Sequence, residues 1–229
     1  MNIVKAENIE KSYKQGKMQV HALRGISVSV DKSEFMALAG PSGSGKTTML
    51  NIIGGIDTPD SGTIIVDNNN YSKMKQSKLA EMRLKKIGFV FQAYNLIPVL
   101  SAFENVEYIM LLQGIAVKER REKARAILDD VGLKGMYARR PSELSGGQQQ
   151  RVAVARAIVS NPAIVLADEP TANLDSKTGE SLLDMMREMN REKKVTFIFS
   201  THDNMVMDYA KRIVKLKDGQ IENDLIKEK

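Results

Sequence analysis

"EFMALAGPSGSGKTTMLNIIGG", residues 34–55, is the stretch that decides the fold. It begins with an apolar run that predicts a strand, continues through a glycine-rich loop, and ends in a run that predicts a helix stopped by two glycines. The loop matches G-x-x-x-x-G-K-[ST] at Gly40, Gly45, Lys46 and Thr47. In that motif the glycines let backbone N–H groups approach phosphates, the lysine reaches the β- and γ-phosphates, and the hydroxyl binds Mg²⁺. The predicted phosphate-binding residues are Gly40, Pro41, Ser42, Gly43, Ser44, Gly45, Lys46, Thr47 and Thr48.

The composition limits the possible classes of protein. The chain has 229 residues, 42% of them hydrophobic, which suits one large domain with a substantial core. It has no cysteine, so disulfides and thiolate metal sites are excluded. The N-terminal "MNIVKAENIEKSYK" lacks the apolar segment of a signal peptide, and no apolar run reaches the length of a membrane span. We therefore expect a cytoplasmic protein.

The charge is moderately basic, with 34 Lys and Arg against 28 Asp and Glu, a net +6. Such an excess can serve nucleic acid, anionic lipid or a polyanionic ligand. Here the basic residues are spread along the chain, and the short clusters "RLKK" and "KERREK" are typical of solvated helix faces. Aromatic residues that could stack on single strands are few. We expect no nucleic acid partner.

The rest of the chain has an α/β pattern. Residues 25–30 are typical of a strand, and the continuous apolar runs at 163–168 and 195–200 predict strands buried on both faces of a parallel sheet. Leucines and methionines at helical spacing predict a helix between the last two strands. The segment from about Phe103 to Ser160 is helical in pattern and lacks such strands, so we expect a helical subdomain inserted into the sheet core. The polar stretch at residues 67–78 predicts a loop.

Two adjacent acids follow the strand in "AIVLADEPT". A strand that ends in Asp168 places a carboxylate at the carboxyl edge of the sheet, where α/β folds bind ligands, and there it can hold Mg²⁺ opposite the hydroxyl of the phosphate loop. Adjacent side chains at a strand end point in different directions. Glu169 is therefore free to polarise a water molecule as a general base.

Two further polar residues follow predicted strands. His202, in "FSTHDN", is expected at the same sheet edge, where it can donate a hydrogen bond to a γ-phosphate. Gln92, in "FVFQAYN", has an amide able to contact both Mg²⁺ and water. His21 lies in the apolar run "VHAL", which favours a structural role.

A second glycine loop occurs in "PSELSGGQQQR", residues 141–151. It sets a Ser-Gly-Gly turn before a predicted helix, and the free N–H groups of a helix N-terminus attract anions. The chain therefore has two loops suited to phosphate, and the pattern alone does not say why one domain needs both.

Taken together, "GPSGSGKTT", Gln92, "LSGGQQQR", "LADEPT", "NLD" and "THD" resemble the ATP-binding subunit of ABC transporters, in the same order over essentially the whole chain. "LSGGQ" is the most specific of these motifs. The resemblance implies an α/β fold with a P-loop NTPase (RecA-like) sheet core, an N-terminal antiparallel β part and an inserted helical subdomain. It implies one domain over residues 1–229, with the sheet core at about 1–93 and 161–229 and the helical subdomain at about 94–160.

The resemblance also implies roles for the matched residues, with ATP and Mg²⁺ as cofactors. Two copies of the chain would pair head to tail, so that the signature loop of each closes on the γ-phosphate held by its partner, which accounts for the second loop. Asp175 would lie at the dimer seam, and Tyr13 would stack on adenine. The implied sets are Ser145, Gly146, Gly147 and Gln148 for the signature; Thr47, Gln92 and Asp168 for the metal; and Glu169, His202 and Gln92 for catalysis.

Within the family, "GGIDTPDSG" and "IGFVFQAYNLIPVLSAFENV" are similar to the group that contains the macrolide exporter MacB, the lipoprotein-releasing LolD and the division protein FtsE. This similarity implies export or lipoprotein release. The chain stops after "KLKDGQIENDLIKEK", so separate integral membrane permease subunits are the expected partners, with this subunit peripheral on the inner face of the cell membrane.

Three alternatives stay open at this point. The first is an FtsE-like ATPase that regulates a membrane partner without moving a substrate. The second is a soluble ABC protein of DNA repair or translation, which is disfavoured because such proteins usually carry large insertions or two cassettes. The third is a nucleic-acid-binding protein that uses the basic surface, for which salt-sensitive binding would be the mark.

Overall fold

The phosphate-binding loop joins a central strand of a six-stranded sheet to the first helix. The computed structural model describes residues 2–16 and 18–227. The strands are β1 (Asn2–Gln15), β2 (Met18–Asp31), β3 (Phe35–Ala39), β4 (Ser61–Val66), β5 (Asn69–Asn70), β6 (Ile87–Val90), β7 (Ile164–Asp168), β8 (Phe197–Thr201), β9 (Arg212–Lys217) and β10 (Gln220–Ile226). The helices are α1 (Lys46–Ile53), α2 (Gln76–Lys86), α3 (Ala102–Leu112), α4 (Val117–Asp130), α5 (Gly146–Ile158), α6 (Ser176–Lys193) and α7 (Asn204–Tyr209).

The larger sheet has the order β10-β9-β3-β8-β7-β6. Its strands are parallel except β10, which runs antiparallel to β9 at the edge. In register, Ala39 pairs with Thr201 and Asp168 pairs with Ser200. Because parallel strands end at one edge of a sheet, the residues that follow β3, β7 and β8 are brought together there.

Both faces of the larger sheet are covered, as the continuous apolar runs predict. Along β3, Phe35 and Ala37 pack with the helices α3–α6, whereas Met36 and Leu38 pack with α1 and the smaller sheet. The smaller sheet is antiparallel, in the order β2-β1-β4-β5. The predicted fold class, with an N-terminal antiparallel part, is therefore confirmed.

Helices α3, α4 and α5 occupy the chain between β6 and β7, and the described part of that segment contains no strand. Their apolar residues share one cluster with the sheet, including Val106, Leu128 and Val154. This agrees with a helical insertion, and its limits at about residues 94 and 160 stay a prediction. Within residues 2–16 and 18–227, each helix is too short or too polar to cross a membrane.

The prediction of a loop over residues 67–78 is wrong. Asp67 and Asn68 both have positive φ, 45° and 63°, and form a tight turn between β4 and β5. A short 3₁₀ helix, Tyr71–Lys73, follows, and α2 already begins at Gln76. The segment is polar, and Tyr71 is the one large side chain in it that is buried in the core, with only 1% of its surface exposed. A single buried residue does not produce the apolar pattern by which a sequence indicates regular structure.

Candidate active site

The phosphate loop is shaped by glycines that other residues could not replace. Gly40 and Gly45 have φ values of 154° and 101°. A side chain on Gly40 would collide with the carbonyl of Leu216, and one on Gly45 would lie 2.6 Å from the carbonyl oxygen of Ala22. These close approaches fix the path of the loop against β9 and β2 and leave its amides at the start of α1.

Lys46, the first residue of α1, is held under the loop. Its side chain is almost fully buried, and Nζ donates hydrogen bonds to the carbonyls of Gly40, at 2.7 Å, and Pro41, at 2.9 Å. These bonds hold the ammonium at the centre of the loop, the position from which it can neutralise phosphate charge.

Thr47 and Asp168 meet across the cleft. The hydroxyl of Thr47 donates to the two carboxylate oxygens of Asp168, at 3.2 and 3.3 Å. Neighbouring ligands of an octahedral Mg²⁺, with bonds of 2.0–2.1 Å, are about 2.9 Å apart. The pair therefore supplies two hard oxygens near the spacing that Mg²⁺ needs, while water and phosphate oxygens can complete its coordination.

Glu169 and His202 form a second pair beside Asp168. His202 Nδ1 lies 2.7 Å from Glu169 Oε1, and the Thr201 hydroxyl donates to Glu169 Oε2 at 3.2 Å. The carboxylate side chain is 16% exposed and the imidazole 68%. Glu169 also has a φ of 46°, which is uncommon for a residue with a long side chain. The protein thus holds this carboxylate in a fixed, sheltered position at the sheet edge.

Lys46, Thr47, Asp168, Glu169 and His202 line one cleft of about 490 Å³, whereas the predicted loop residues Gly40, Pro41 and Ser44 do not line it. Gln92 contributes to the lining, and its backbone carbonyl accepts a hydrogen bond from Asn173 Nδ2 at 2.8 Å. The structure therefore brings together the predicted groups from the ends of β3, β6, β7 and β8. The cleft is lined by Tyr13, Val20, His21, Ala22, Ser42, Gly43, Gly45, Lys46, Thr47, Thr48, Gln92, Asp168, Glu169 and His202.

The opposite wall of the cleft comes from the β1–β2 hairpin, which sequence reasoning largely missed. His21, predicted to be structural, is exposed, lines the cleft, and lies with Nδ1 2.9 Å from the hydroxyl of Ser12. Val20 pairs with Tyr13 across the two strands. The signal for Val20 is its place opposite Tyr13 in the hairpin, a pairing that the sequence does not show, and Ala22 has no sequence signal.

Tyr13 is oriented by a carboxylate. Its hydroxyl donates to Asp57 Oδ2 at 2.7 Å, and Lys11 donates to Asp57 Oδ1 at 2.8 Å. Burial and the hydrogen bond to Asp57 raise the pKa of Tyr13. Burial alone would raise the pKa of the Asp57 carboxyl, but the hydrogen bonds from Lys11 and Tyr13 outweigh it and lower that pKa. The ring is 40% exposed and can accept a flat ligand.

The signature residues lie outside this cleft. Ser145 caps α5: its Oγ accepts from Gln148 N–H at 3.3 Å, and Gln148 Oε1 accepts from Ser145 N–H at 2.9 Å. Gly146 and Gly147 allow close packing within the chain, since side chains there would meet Tyr94 and Thr178. None of these four signature residues lines the described cleft.

Asp175 has a local partner in this chain. It caps α6, and its carboxylate accepts hydrogen bonds from the backbone N–H of Thr178 at 3.0 Å and from the Thr178 hydroxyl at 2.6 Å. These bonds lower the pKa of Asp175. The side chain is exposed, so it is available to a second molecule at the same time.

Comparisons with known proteins agree with this geometry. The sequence model of the ABC transporter family matches residues 23–172. The chain is 46% identical over 224 residues to the macrolide export ATP-binding/permease protein MacB of Syntrophobacter fumaroxidans, a match that covers 97% of this chain and 31% of MacB. It is 40% identical over 219 residues to the lipoprotein-releasing system ATP-binding protein LolD of Legionella pneumophila, covering 96% of each.

A solved structure shares the fold. It is the dimer of the ATP-binding cassette MJ0796 in a post-hydrolysis state, bound to ADP and phosphate; MJ0796 is a protein of Methanocaldococcus jannaschii. The TM-score is 0.89 at 43% identity, over 97% of this chain and 98% of the other. The matched cleft, the sequence similarity and the shared fold lead to one conclusion: the chain belongs to the ABC transporter family and carries its ATPase domain.

Proposed function

We propose that this protein binds and hydrolyses ATP as a head-to-tail pair of identical subunits, and that the pairing drives membrane partners in export or lipoprotein release. The observation that carries the proposal is an incomplete site. One cleft holds the phosphate loop, Asp168, Glu169 and His202, while the signature loop at Ser145 lies outside it. A second copy can supply the missing donors.

Within one subunit, the phosphate loop and Tyr13 hold the nucleotide. The backbone amides before α1 and the ammonium of Lys46 bind the phosphates, and the exposed ring of Tyr13 stacks on the base. Asp57 keeps that ring in place through its hydrogen bond to the phenol.

Thr47 and Asp168 would hold Mg²⁺, with Gln92 within the same cleft. The bound ion would offset the negative charge of the phosphate oxygens. The oxygen donors, their spacing and the absence of sulfur ligands all suit Mg²⁺ better than a transition metal.

Glu169 is the proposed general base. Its carboxylate accepts hydrogen bonds at both oxygens and can take a proton from an attacking water. His202 orients it from Oε1. His202 would also donate a hydrogen bond to the phosphate that the water attacks, and so link the base to that phosphate.

The partner copy would add the N-terminus of its α5. Ser145 and the N–H groups of Gly146 and Gly147 lie at this helix end, whose dipole favours an anion. The solved MJ0796 cassette, which is a dimer bound to ADP and phosphate, supports pairing of this kind.

A groove between the sheet and α3 is the proposed contact for the membrane partner. It has a volume of about 470 Å³ and runs along β6 just before Gln92; Phe89, Ile97, Tyr108 and Ile109 are among its lining residues. Leu111 and Leu112 are exposed nearby, 47% and 52% respectively. The names of MacB and LolD, an ATP-binding/permease protein and a lipoprotein-releasing system protein, support membrane partners. A subunit that binds such partners and ATP would lie on the inner face of the membrane.

The test is the state of association of Glu169→Gln. This change keeps the shape of the side chain and removes the proton acceptor, so hydrolysis should fall by roughly 10²–10⁴-fold. ATP should still bind, and light scattering should show a monomer without nucleotide and a dimer with ATP, because ligand binding is linked to association. A variant that stays monomeric at saturating ATP would overturn the proposed pairing.

A further inference from the structure

Gln150, on α5, is buried between two segments that carry proposed site residues. Its side chain has no exposed surface, and it lies between the segment that follows β6 and the turn that follows β7. A fully buried amide is uncommon and requires hydrogen-bond partners.

The amide nitrogen of Gln150 has two backbone partners. Nε2 donates to the carbonyl of Pro170 at 2.7 Å and lies 3.5 Å from the carbonyl of Phe91. Two carbonyl acceptors require the NH₂ end of the amide on this side, which fixes its orientation. Oε1 is left without a partner among the described residues. An apolar side chain at this position would remove the cost of the unpaired Oε1 but would also lose the contacts with the Pro170 and Phe91 carbonyls.

Both carbonyls belong to neighbours of proposed catalytic residues. Pro170 directly follows Glu169, whose backbone has the uncommon φ of 46°, and Phe91 directly precedes Gln92. A second amide makes a parallel link, since Asn173 Nδ2 donates to the carbonyl of Gln92. The turn that carries the base is therefore tied twice to the segment that carries Gln92.

We propose that Gln150 is a positioning residue for hydrolysis: it clamps the Glu169 turn and the Gln92 segment to α5, the helix that begins at the signature loop. A shift of α5 when the partner's nucleotide binds at Ser145 then reaches the carboxylate of Glu169 within the same chain. This inference rests on the proposed role of Glu169 as the base.

The test begins with Gln150→Met, which keeps the length of the side chain and removes the donor. The rate constant for hydrolysis should fall about 10–100-fold, the scale expected when a catalytic group is misplaced by about 1 Å. The affinity for ATP should stay within about twofold, because Gln150 does not line the cleft. Gln113→Met is the matched control: its amide donates to the Leu84 carbonyl, at 2.6 Å, outside the active site, and its rate should be that of the wild type.

The decisive comparison repeats Gln150→Met in the Glu169→Gln background. If Gln150 acts through the base, the residual rate there should change by less than about twofold. An equal loss in both backgrounds would overturn the role of Gln150, whereas a wild-type rate for Glu169→Gln alone would overturn the base assignment instead.

A milder variant covers the case in which Gln150→Met does not fold. Burial favours the neutral acid in Gln150→Glu, whose single O–H can still donate to the Pro170 carbonyl. Its rate should lie between those of the wild type and the methionine variant. A wild-type rate would count against the double clamp, and a loss that persists in the Glu169→Gln background would contradict action through the base.

Discussion

Replacing Gly147 with alanine tests why the signature loop needs its second glycine. An ideal Cβ on Gly147 lies 2.4 Å from Cγ2 of Thr178 in the first turn of α6. Carbon atoms in contact are about 3.5–4.0 Å apart, so the two helices must separate by roughly 1 Å. Overpacking of this size costs about 1–3 kcal/mol, while alanine gains up to about 1 kcal/mol over glycine in a helix. With that gain subtracted, Gly147→Ala should destabilise the fold by up to about 2 kcal/mol.

Thr178→Ser removes the methyl group that the new Cβ would strike and keeps the hydroxyl that Asp175 binds. In that background the overlap disappears and only the helix propensity remains, so Gly147→Ala should stabilise the protein by up to about 1 kcal/mol. The predicted effect of Gly147→Ala on the free energy of unfolding therefore changes sign between the wild-type and Thr178→Ser backgrounds. Urea unfolding of the wild type, the two single variants and the double variant measures it directly.

The same four proteins distinguish an effect on packing within one chain from an effect on ATP-dependent dimerisation. ATP binding to the monomer should be unaffected in all of them, because Gly147 does not line the cleft. In the Glu169→Gln background, the alanine should weaken the ATP-dependent dimer, and Thr178→Ser should restore it. Equal destabilisation by Gly147→Ala with Thr178 and with Ser at that position would refute the reasoning.

Three further predictions concern the cleft. Lys46→Ala removes a buried charged donor and should weaken ATP binding about 10–100-fold, from about 1.5–3 kcal/mol for a charge-assisted hydrogen bond; unchanged affinity in a fluorescent-nucleotide titration would contradict this. Chelation of Mg²⁺ should stop hydrolysis, and added Mg²⁺ should restore it; turnover that persists in excess chelator would count against the Thr47–Asp168 assignment. Asp57→Asn should lower the melting temperature at pH 7 but not at low pH. The pKa of Asp57 is depressed in the folded state, so the carboxylate stabilises the fold above its unfolded-state pKa of about 3.9. This stabilisation is lost as the pH falls through the folded-state pKa, and equal losses of melting temperature at both pH values would contradict the assignment.

The position of the polar groups at the sheet edge could be predicted from sequence because each group ends or follows a short apolar strand. Asp168 ends β7 and His202 directly follows β8, and the parallel register alone brings them to one edge. The phosphate loop is local as well, since its residues are neighbours in the chain. Such patterns need no knowledge of distant contacts.

Contacts between distant segments could not be predicted in the same way. Gln150 is one of three successive glutamines, and only the fold shows that it alone among them is fully buried and reaches the Phe91 carbonyl. His21 lines the cleft only because the β1–β2 hairpin packs over the phosphate loop, and the sequence does not show that packing. The helix at Gln76 was hidden by polar residues, because its buried face consists of Leu79 and Met82 alone.

The left-handed backbone of Glu169 sets stability against activity in this protein. Glycine and asparagine adopt a positive φ more easily than glutamate does, so either would relax the turn, and each would remove the carboxylate proposed as the proton acceptor. A library selected for heat resistance alone should therefore enrich proteins that are better folded and unable to hydrolyse ATP. Any effort to engineer a more durable form of this subunit would have to select for turnover at the same time.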